Sequence, residues 1–416
     1  MKNLLRRTAH LMVLLAAAGG VAGQEMSKDV KAFVGARIID GTGKAAISNA
    51  TLLVRNGRIE AVGPSVRVPD GAQRIDVAGK TIIPGLINGH GHVNDLSQLG
   101  KYARYGVTTV FSLGGNREIE FRDQTRSQQQ MPSLTRARLF IAGPIPIPKT
   151  AEEGRKAVDG LAAAKTDIVK FRLDDNLGKG SKIPLDAYSA MIDEAHKHGM
   201  RVAVHAVYLS DVKSVLSMGA EYIAHSVRDF DVDAETIAML KKNNAFYCPT
   251  LMREVSVFAY GDKPGFLKLD FVRREAEPAE LAKVEDPAFQ EAMRNDSAAK
   301  WYKDHLPVAM RNLKKLEDAG VAVVMGTDTG PAYRFQGAFE HLELEYMVKS
   351  GLTPMQALVA ATSRPARLLK MADQIGTLEP GRWADLVVLG GNPLDDITNS
   401  RRIESVWIAG NRVPGK

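Results

Sequence analysis

The sequence predicts an α/β chain: a (β/α)8 TIM barrel joined to a small β-sandwich domain that both chain ends build. Three observations lead there. Eight apolar runs of strand length alternate with helical patterns through the middle of the 416 residues. Short strands broken by turn residues occupy both ends. Histidines and an aspartate fall where the central runs end, and barrels gather their active sites at the C-terminal ends of their strands. A doubly wound open sheet is the competing reading of the alternation alone. The length allows one large and one smaller domain, since single cores rarely grow past ~250–300 residues.

In chain order, Lys2, Arg6 and Arg7 precede an apolar stretch from Leu11 to Ala22. Val21-Ala22-Gly23 then offers small residues for cleavage before Gln24, the layout of a secretory signal peptide over residues 1–23. The stretch is shorter than the ~20 residues a bilayer needs, so no stable membrane anchor is expected. The expected location is secreted or periplasmic. Removing the segment lowers the net charge from +7 to about +4. The single cysteine, Cys248, excludes an intrachain disulfide and a lipid attached near the cleavage site.

Residues 24–84 carry strand patterns at 32–39, 50–56 and 58–62, with Asn56-Gly57 as a hairpin signal between the last two. Residues 371–416 repeat this character, with strands at 384–389 and 405–409 and a turn at Gly410-Asn411. The two ends are expected to pair as the β-sandwich domain. The barrel then occupies 85–370. Its strand candidates are 85–88, 108–113, 139–142, 168–171, 202–205, 222–225, 245–249 and 321–325. Helical patterns separate most of them: 186–198 spaces Ala187, Met191, Ile192 and Ala195 on one face, and 306–319 forms another. The stretch from Arg253 to Leu306, with Phe258, Tyr260, Phe266 and Trp301, is long enough to be a helical lid or an oligomerisation element.

Composition narrows the partners. Apolar residues make up 45% and charged residues 25%, an ordinary globular balance. Basic residues are interspersed with acidic ones, as in Arg273-Arg274-Glu275, and no aromatic-studded basic stripe exists for nucleic acid. A small-molecule substrate is the expected partner, with homo-oligomerisation left open.

Chemistry concentrates first in the stretch that ends Asn88-Gly89-His90-Gly91-His92. Histidines two apart on an extended chain point the same way, so both imidazoles can reach one ion. Gly89 and Gly91 are expected to keep space clear around it. His205, His225 and Asp328 close three later strand patterns, and together these placements favour ligands over core histidines. Lys170 lies inside the fourth strand pattern, where a bare ammonium is costly. Two readings remain open there: a surface position with a snorkelling stem, or an amine of lowered pKa that reacts with carbon dioxide to give a bridging carbamate. Imidazole and carboxylate ligands make Zn2+ the default ion.

These residues resemble the amidohydrolase superfamily over nearly the whole mature chain. The resemblance rests on Pro84 to His92, Lys170, His205, His225, Gly326-Thr327-Asp328, and the tail from Gly376 to Leu389. The lysine on strand four is similar to that of the binuclear branch with prolidase-type and carboxypeptidase-type dipeptidases and ochratoxin-type amidases. Cytosine deaminase and imidazolonepropionase relatives hold one metal. The resemblance implies two divalent ions: His90, His92 and Asp328 on the more buried, His205 and His225 on the more exposed, and carbamylated Lys170 between them. It further implies that a hydroxide attacks an amide carbonyl while Asp328 shuttles the proton.

Tyr208, three residues past His205, is placed to donate to the developing oxyanion or simply to pack on the rim. Arg172, Arg228 and Arg253 are candidate anchors for a substrate carboxylate, or else surface charges and structural ion pairs. The expected reaction is therefore cleavage of an amide in a dipeptide, Xaa-Pro or similar, or an N-acyl amino acid. A lactone or phosphotriester on the same metals is the second hypothesis. A non-catalytic scaffold is the third, disfavoured because a scaffold needs none of the six ligand positions. His196, His198 and His341 read as structural.

Overall fold

The computed structural model describes residues 30–415, and the expected leader lies outside the described residues. Continuous apolar runs form the barrel strands, as parallel strands covered on both faces require. These are β1 (Leu86–Gly91), β2 (Val107–Ser112), β3 (Arg138–Ile141), β4 (Val169–Leu173), β5 (Val202–Ala206), β6 (Tyr222–Ala224), β7 (Phe246–Cys248) and β8 (Ala322–Val323). β1 to β3 form one parallel arc and β4 to β8 another. Backbone bonds join the arcs at both seams: Asp167 N–H donates to Ile141 O (2.9 Å), and Gly89 N–H to Met325 O (2.9 Å). A parallel bridge from Gly91 to Thr329 continues the second seam.

β8 is shorter than the apolar run around it. Met325 N–H leaves the ladder for Ala360 O, and the chain then crosses to β1. The helix after β4 spans Leu185–Lys197 and buries Ala187, Met191, Ile192 and Ala195, the face its spacing marks out. The helix before β8 is longer than the sequence pattern: it spans Ser297–Asp318, with Pro307 inside. Its start is fixed by Asp296, whose side chain accepts from Ala298 N–H (2.8 Å), a capping signal that the apolar period does not carry.

The segments between β7 and that helix form short helices rather than an open loop: Leu251–Ser256, Pro278–Glu285 and Pro287–Asn295, among others. Met252, Val255, Tyr260 and Leu267 pack there against Phe335, Phe339 and Leu342 of the region after β8.

Strands from both chain ends form one continuous eight-stranded sheet folded over its own core. Leu386–Leu389 pairs antiparallel with Thr81–Pro84, which in turn pairs with Val30–Ile38. Phe33 meets Trp407 edge-on at 5.0 Å between ring centres in the middle of that core. The hairpin turn has Asn56 at φ 51° and Gly57 at φ 78°, both left-handed as a tight two-residue turn requires. Where barrel meets sheet, Arg138 and Asp385 form a buried ion pair, and Asp385 also accepts from Ala409 N–H (2.8 Å). Arg138 is the first residue of β3, so this contact lies at the N-terminal end of a barrel strand, opposite the end at which His90 and His92 stand on β1. No helix among the described residues is long and apolar enough to cross a membrane.

Candidate active site

At the C-terminal end of β1, His90 and His92 turn to the same side, with Asp328 from the loop after β8 beside them. Their ligand atoms lie within 4.8 Å of one another, close enough to hold one ion. His92 Nε2 lies 2.8 Å from an Asp328 carboxylate oxygen, and His90 Nε2 lies 3.6 Å from it. His225 lies tilted beside His90 (4.7 Å between ring centres) and edge-on to His205 (4.1 Å). The four imidazoles and the aspartate named by the sequence therefore converge in one cluster.

The cluster is built with local strain. Asp328 has φ 54° and His225 φ 83°, left-handed conformations that non-glycine residues rarely hold without a compensating role. Gly89 and Gly91 serve differently from the expectation that they clear space around an ion. A Cβ on Gly89 would meet Val324 at 2.4 Å, and one on Gly91 would meet Asn88 at 2.9 Å. They permit close packing of β1 against its neighbours, because strand alternation turns them away from the face that carries the histidines.

Partners outside the cluster set which ring nitrogen each histidine presents. His92 Nδ1 bonds Gly114 O (2.8 Å) and His225 Nδ1 bonds Thr250 Oγ1 (2.8 Å), which leaves Nε2 of each toward the cluster. His205 does the reverse: its Nε2 bonds Asp174 (2.9 Å), which leaves Nδ1 for an ion. Such outer carboxylates orient metal-binding histidines. His90 Nδ1 is buried and has no partner. Burial holds His90 and His225 well below the ordinary imidazole value and lowers His205 to about 3. Burial lowers His92 too, but the Asp328 carboxylate outweighs it and raises that imidazole; neutral imidazoles are what a metal needs, and His90, His205 and His225 meet that need. Burial opposes a charge on Asp328, but Arg334 and His92 outweigh it and hold the carboxyl well below its usual range.

Lys170 is 3% exposed, which removes the snorkelling alternative. Burial lowers its amine to about 8, and its charge in turn depresses His90, His205 and His225.

The other candidates are placed less uniformly. Tyr208 donates to Asp175 (2.9 Å) at the rim. Arg172 is directed to Asp174 (3.0 Å) and Asn176 (2.5 Å). Arg228 is fully buried, bound to Glu254 (2.9 Å) and Tyr302 (2.9 Å). Arg253 is buried with its Nε 3.8 Å from Asp328 Oδ2. His341 bridges Ser400 and Tyr105 O inside the fold, while His196 and His198 pair with Glu221 and Asp159 on the surface.

Sequence reasoning missed Asp174, Arg334, Tyr302 and Glu340. Arg334 donates to Asp328 Oδ2 (2.6 Å) and lines a cavity of about 470 Å³ with Asp95, Gln98, Lys101, Glu280 and Gln336. Glu340 accepts from Asn88 (2.6 Å), Thr327 (2.9 Å) and Thr329 (2.9 Å) beneath the cluster. Asp174, four residues past Lys170, carried a signal in its nearness to that strand end. The other three join the site from helices or loops whose distance only the fold closes.

Comparison with known proteins places this geometry. The amidohydrolase family is matched over residues 81–413. An ochratoxinase from Aspergillus niger is 25% identical over 286 residues, covering 66% of this chain and 52% of that protein. The chain thus spans about half the length of that curated relative. An imidazolonepropionase from Porphyromonas gingivalis is 24% identical over 357 residues, 80% of each chain. Among solved structures, a Bifidobacterium longum protein assigned as a prolidase superposes with a TM-score of 0.73 at 27% identity, covering 93% of this chain and 96% of that one.

Proposed function

Since the chain belongs to the amidohydrolase family, we propose that it is a secreted hydrolase that uses two divalent metal ions to cleave the amide bond of dipeptides or N-acyl amino acids. The observation that carries this reading is Lys170: a lysine buried within electrostatic reach of His90, His205, His225 and Asp328. Burying an uncompensated ammonium beside future cations is unfavourable. Carbon dioxide resolves it: its carbon bonds to the neutral amine nitrogen, a proton leaves, and the carbamate that results is an anion with two oxygens to share. The likeness to an ochratoxinase and to a protein assigned as a prolidase supports carbon–nitrogen bond cleavage.

His90, His92 and Asp328 would hold one ion, His205 and His225 the other, and the Lys170 carbamate both; Zn2+ suits these donors. When bound, the ions supply an activated water and polarise the scissile carbonyl. Asp328, ionised because Arg334 faces it, takes the proton of the attacking water at its carboxylate. It returns that proton to the leaving nitrogen as the carbon–nitrogen bond breaks. Tyr208 can donate to the developing oxyanion once its hydroxyl leaves Asp175.

Metal analysis combined with a hydrolysis screen tests the reading. Protein refolded or purified with zinc and bicarbonate should carry two ions per chain and hydrolyse dipeptides or N-acyl amino acids faster than lactones or phosphotriesters. Fewer than one ion per chain, with no response to bicarbonate, would reject the bridged pair. Preferential turnover of lactones would transfer the site to the second hypothesis.

A further inference from the structure

Resting on the amide-hydrolase reading, we propose that Arg253 is the receptor for a carboxylate next to the scissile amide. The substrates are then acylated α-amino acids with a free carboxyl group, and their C-terminal amides are excluded.

Three arginines were candidates for such a role, and the fold separates them. Arg172 is 44% exposed and engaged with Asp174. Arg228 is 1% exposed, and although its Nε has no partner, it contacts Glu254, Tyr302 and Trp301 and none of the candidate ligands. Arg253 is 7% exposed, yet its Nε also has no hydrogen-bond partner, and this nitrogen lies near Asp328 of the cluster. The 3.8 Å from Nε to Asp328 Oδ2 exceeds a hydrogen bond, so a buried donor stands open beside the group that handles the proton.

Charge balance leads the same way. Arg228, Arg253 and Glu254 place two positive charges and one negative charge in a buried cluster. Glu254 is shared between Arg228 at 2.9 Å and Arg253 at 3.2 Å, and Asp328 is taken by Arg334 at 2.6 Å and by His92 at 2.8 Å. One guanidinium therefore remains in excess, and a buried excess charge calls for an anion.

The receptor is also rigid. Tyr302 Oη accepts from Arg253 (2.8 Å) and from Arg228 (2.9 Å), and Arg253 also donates to Glu254 (3.2 Å). The helix that carries it starts at Leu251, where Glu343 accepts from the N–H groups of Leu251 (2.8 Å) and Met252 (2.6 Å). A guanidinium fixed in this way loses little entropy when it meets a planar carboxylate. Its place beside Asp328, which protonates the leaving nitrogen, puts the bound carboxylate on the leaving-group side.

Binding of a non-hydrolysable ligand to the metal-loaded protein tests this. The probes are N-methylphosphonyl-L-proline and its C-terminal amide, titrated calorimetrically into wild type, Arg253→Met and Arg253→Lys. In wild type the acid should bind at least about 30-fold more tightly than the amide, the range of a charged hydrogen bond. In Arg253→Met that ratio should collapse to about 3-fold or less, with amide binding little changed, and Arg253→Lys should lie between. The methionine variant should fold, because Glu254 keeps Arg228; circular dichroism and two bound ions per chain check this. Equal binding of acid and amide by wild type overturns the receptor and leaves the hydrolase reading intact. A ratio that survives in Arg253→Met overturns it as well. Binding of neither probe by metal-loaded wild type overturns both.

Discussion

The two halves of the cluster supply comparable ligands but are held by different forces. On the seam between β1 and β8, His90, His92 and Asp328 are fixed mainly by backbone bonds and a hydrogen-bonded network, with Arg334 paired to Asp328 (2.6 Å). His90 N–H donates to Asn88 Oδ1 (2.9 Å), Thr327 and Asp328 N–H both donate to His90 O (3.0 and 2.7 Å), and Asn88, Thr327 and Thr329 converge on Glu340. On the side of β5 to β7, charges do the holding: Asp174 and Arg172 behind His205, and the Arg228–Glu254–Arg253–Tyr302 group behind the proposed substrate contact. The difference teaches where specificity resides. A hydrogen-bonded network with few ion pairs fixes such a site at a lower cost in desolvation, whereas a cluster of several buried charges is costly unless something else completes it. Under the proposed carboxylate receptor, the charged half is the one that a ligand completes.

Lys170 lies between the halves, and its removal should have the largest effect. Lys170→Ala should lower kcat/KM by more than about 1,000-fold, ~4 kcal/mol of barrier, and reduce bound metal below two ions per chain. Wild-type turnover in that variant would remove the lysine from the mechanism. Next is the seam. Glu340→Ala strands three donors from Asn88, Thr327 and Thr329, and urea unfolding should show a loss of about 3 kcal/mol; a smaller loss than a surface substitution gives would mean the network is not what fixes Asp328.

The charged half should respond more selectively. Asp174→Ala should weaken one metal equivalent by about 10–100-fold in chelator competition while leaving the other in place. Equal weakening of both equivalents would erase the distinction between the halves. The smallest effect is on pH dependence. Burial raises Glu343 from 4.5 to about 8, so the folded state binds its proton more tightly than the unfolded chain does. Its contribution to stability is therefore greatest below pH ~4.5 and declines as pH rises to about 8. Glu343→Gln should flatten that part of the stability profile, measured as urea midpoints between pH 5 and 9. An unchanged profile would place the titration elsewhere.

Much of the site was legible in the chain because metal chemistry uses few residue types at conspicuous places. His90 and His92 share a face by strand alternation, and His205, His225 and Asp328 stand where apolar runs end. The hairpin at Asn56-Gly57 was legible for a similar reason, since its φ angles favour those residues. Less legible were features in which the same residue type has two uses. Gly89 and Gly91 looked like clearance around an ion, and only the closeness of Val324 and Asn88 shows that they serve packing. The start of the helix at Ser297 was missed because its cap, Asp296, precedes the apolar pattern.

By itself, then, the sequence determined the strand–helix alternation, the candidate ligand types and their order, because these follow from local period and side-chain chemistry. Only the tertiary structure removed the surface reading of Lys170, since burial is a property of the surrounding barrel and not of the strand that carries the lysine. The same holds for the arginines. Residues 172, 228 and 253 are equivalent as letters, and what separates them is which acid each meets: Asp174 four residues past Lys170, Glu254 and Tyr302 across the barrel rim, or the vicinity of Asp328 with a donor left open. The Arg172 contact is local, whereas Arg228 meets Glu254 only when β6 and β7 lie side by side, and Arg253 nears Asp328 only when β7 and β8 do.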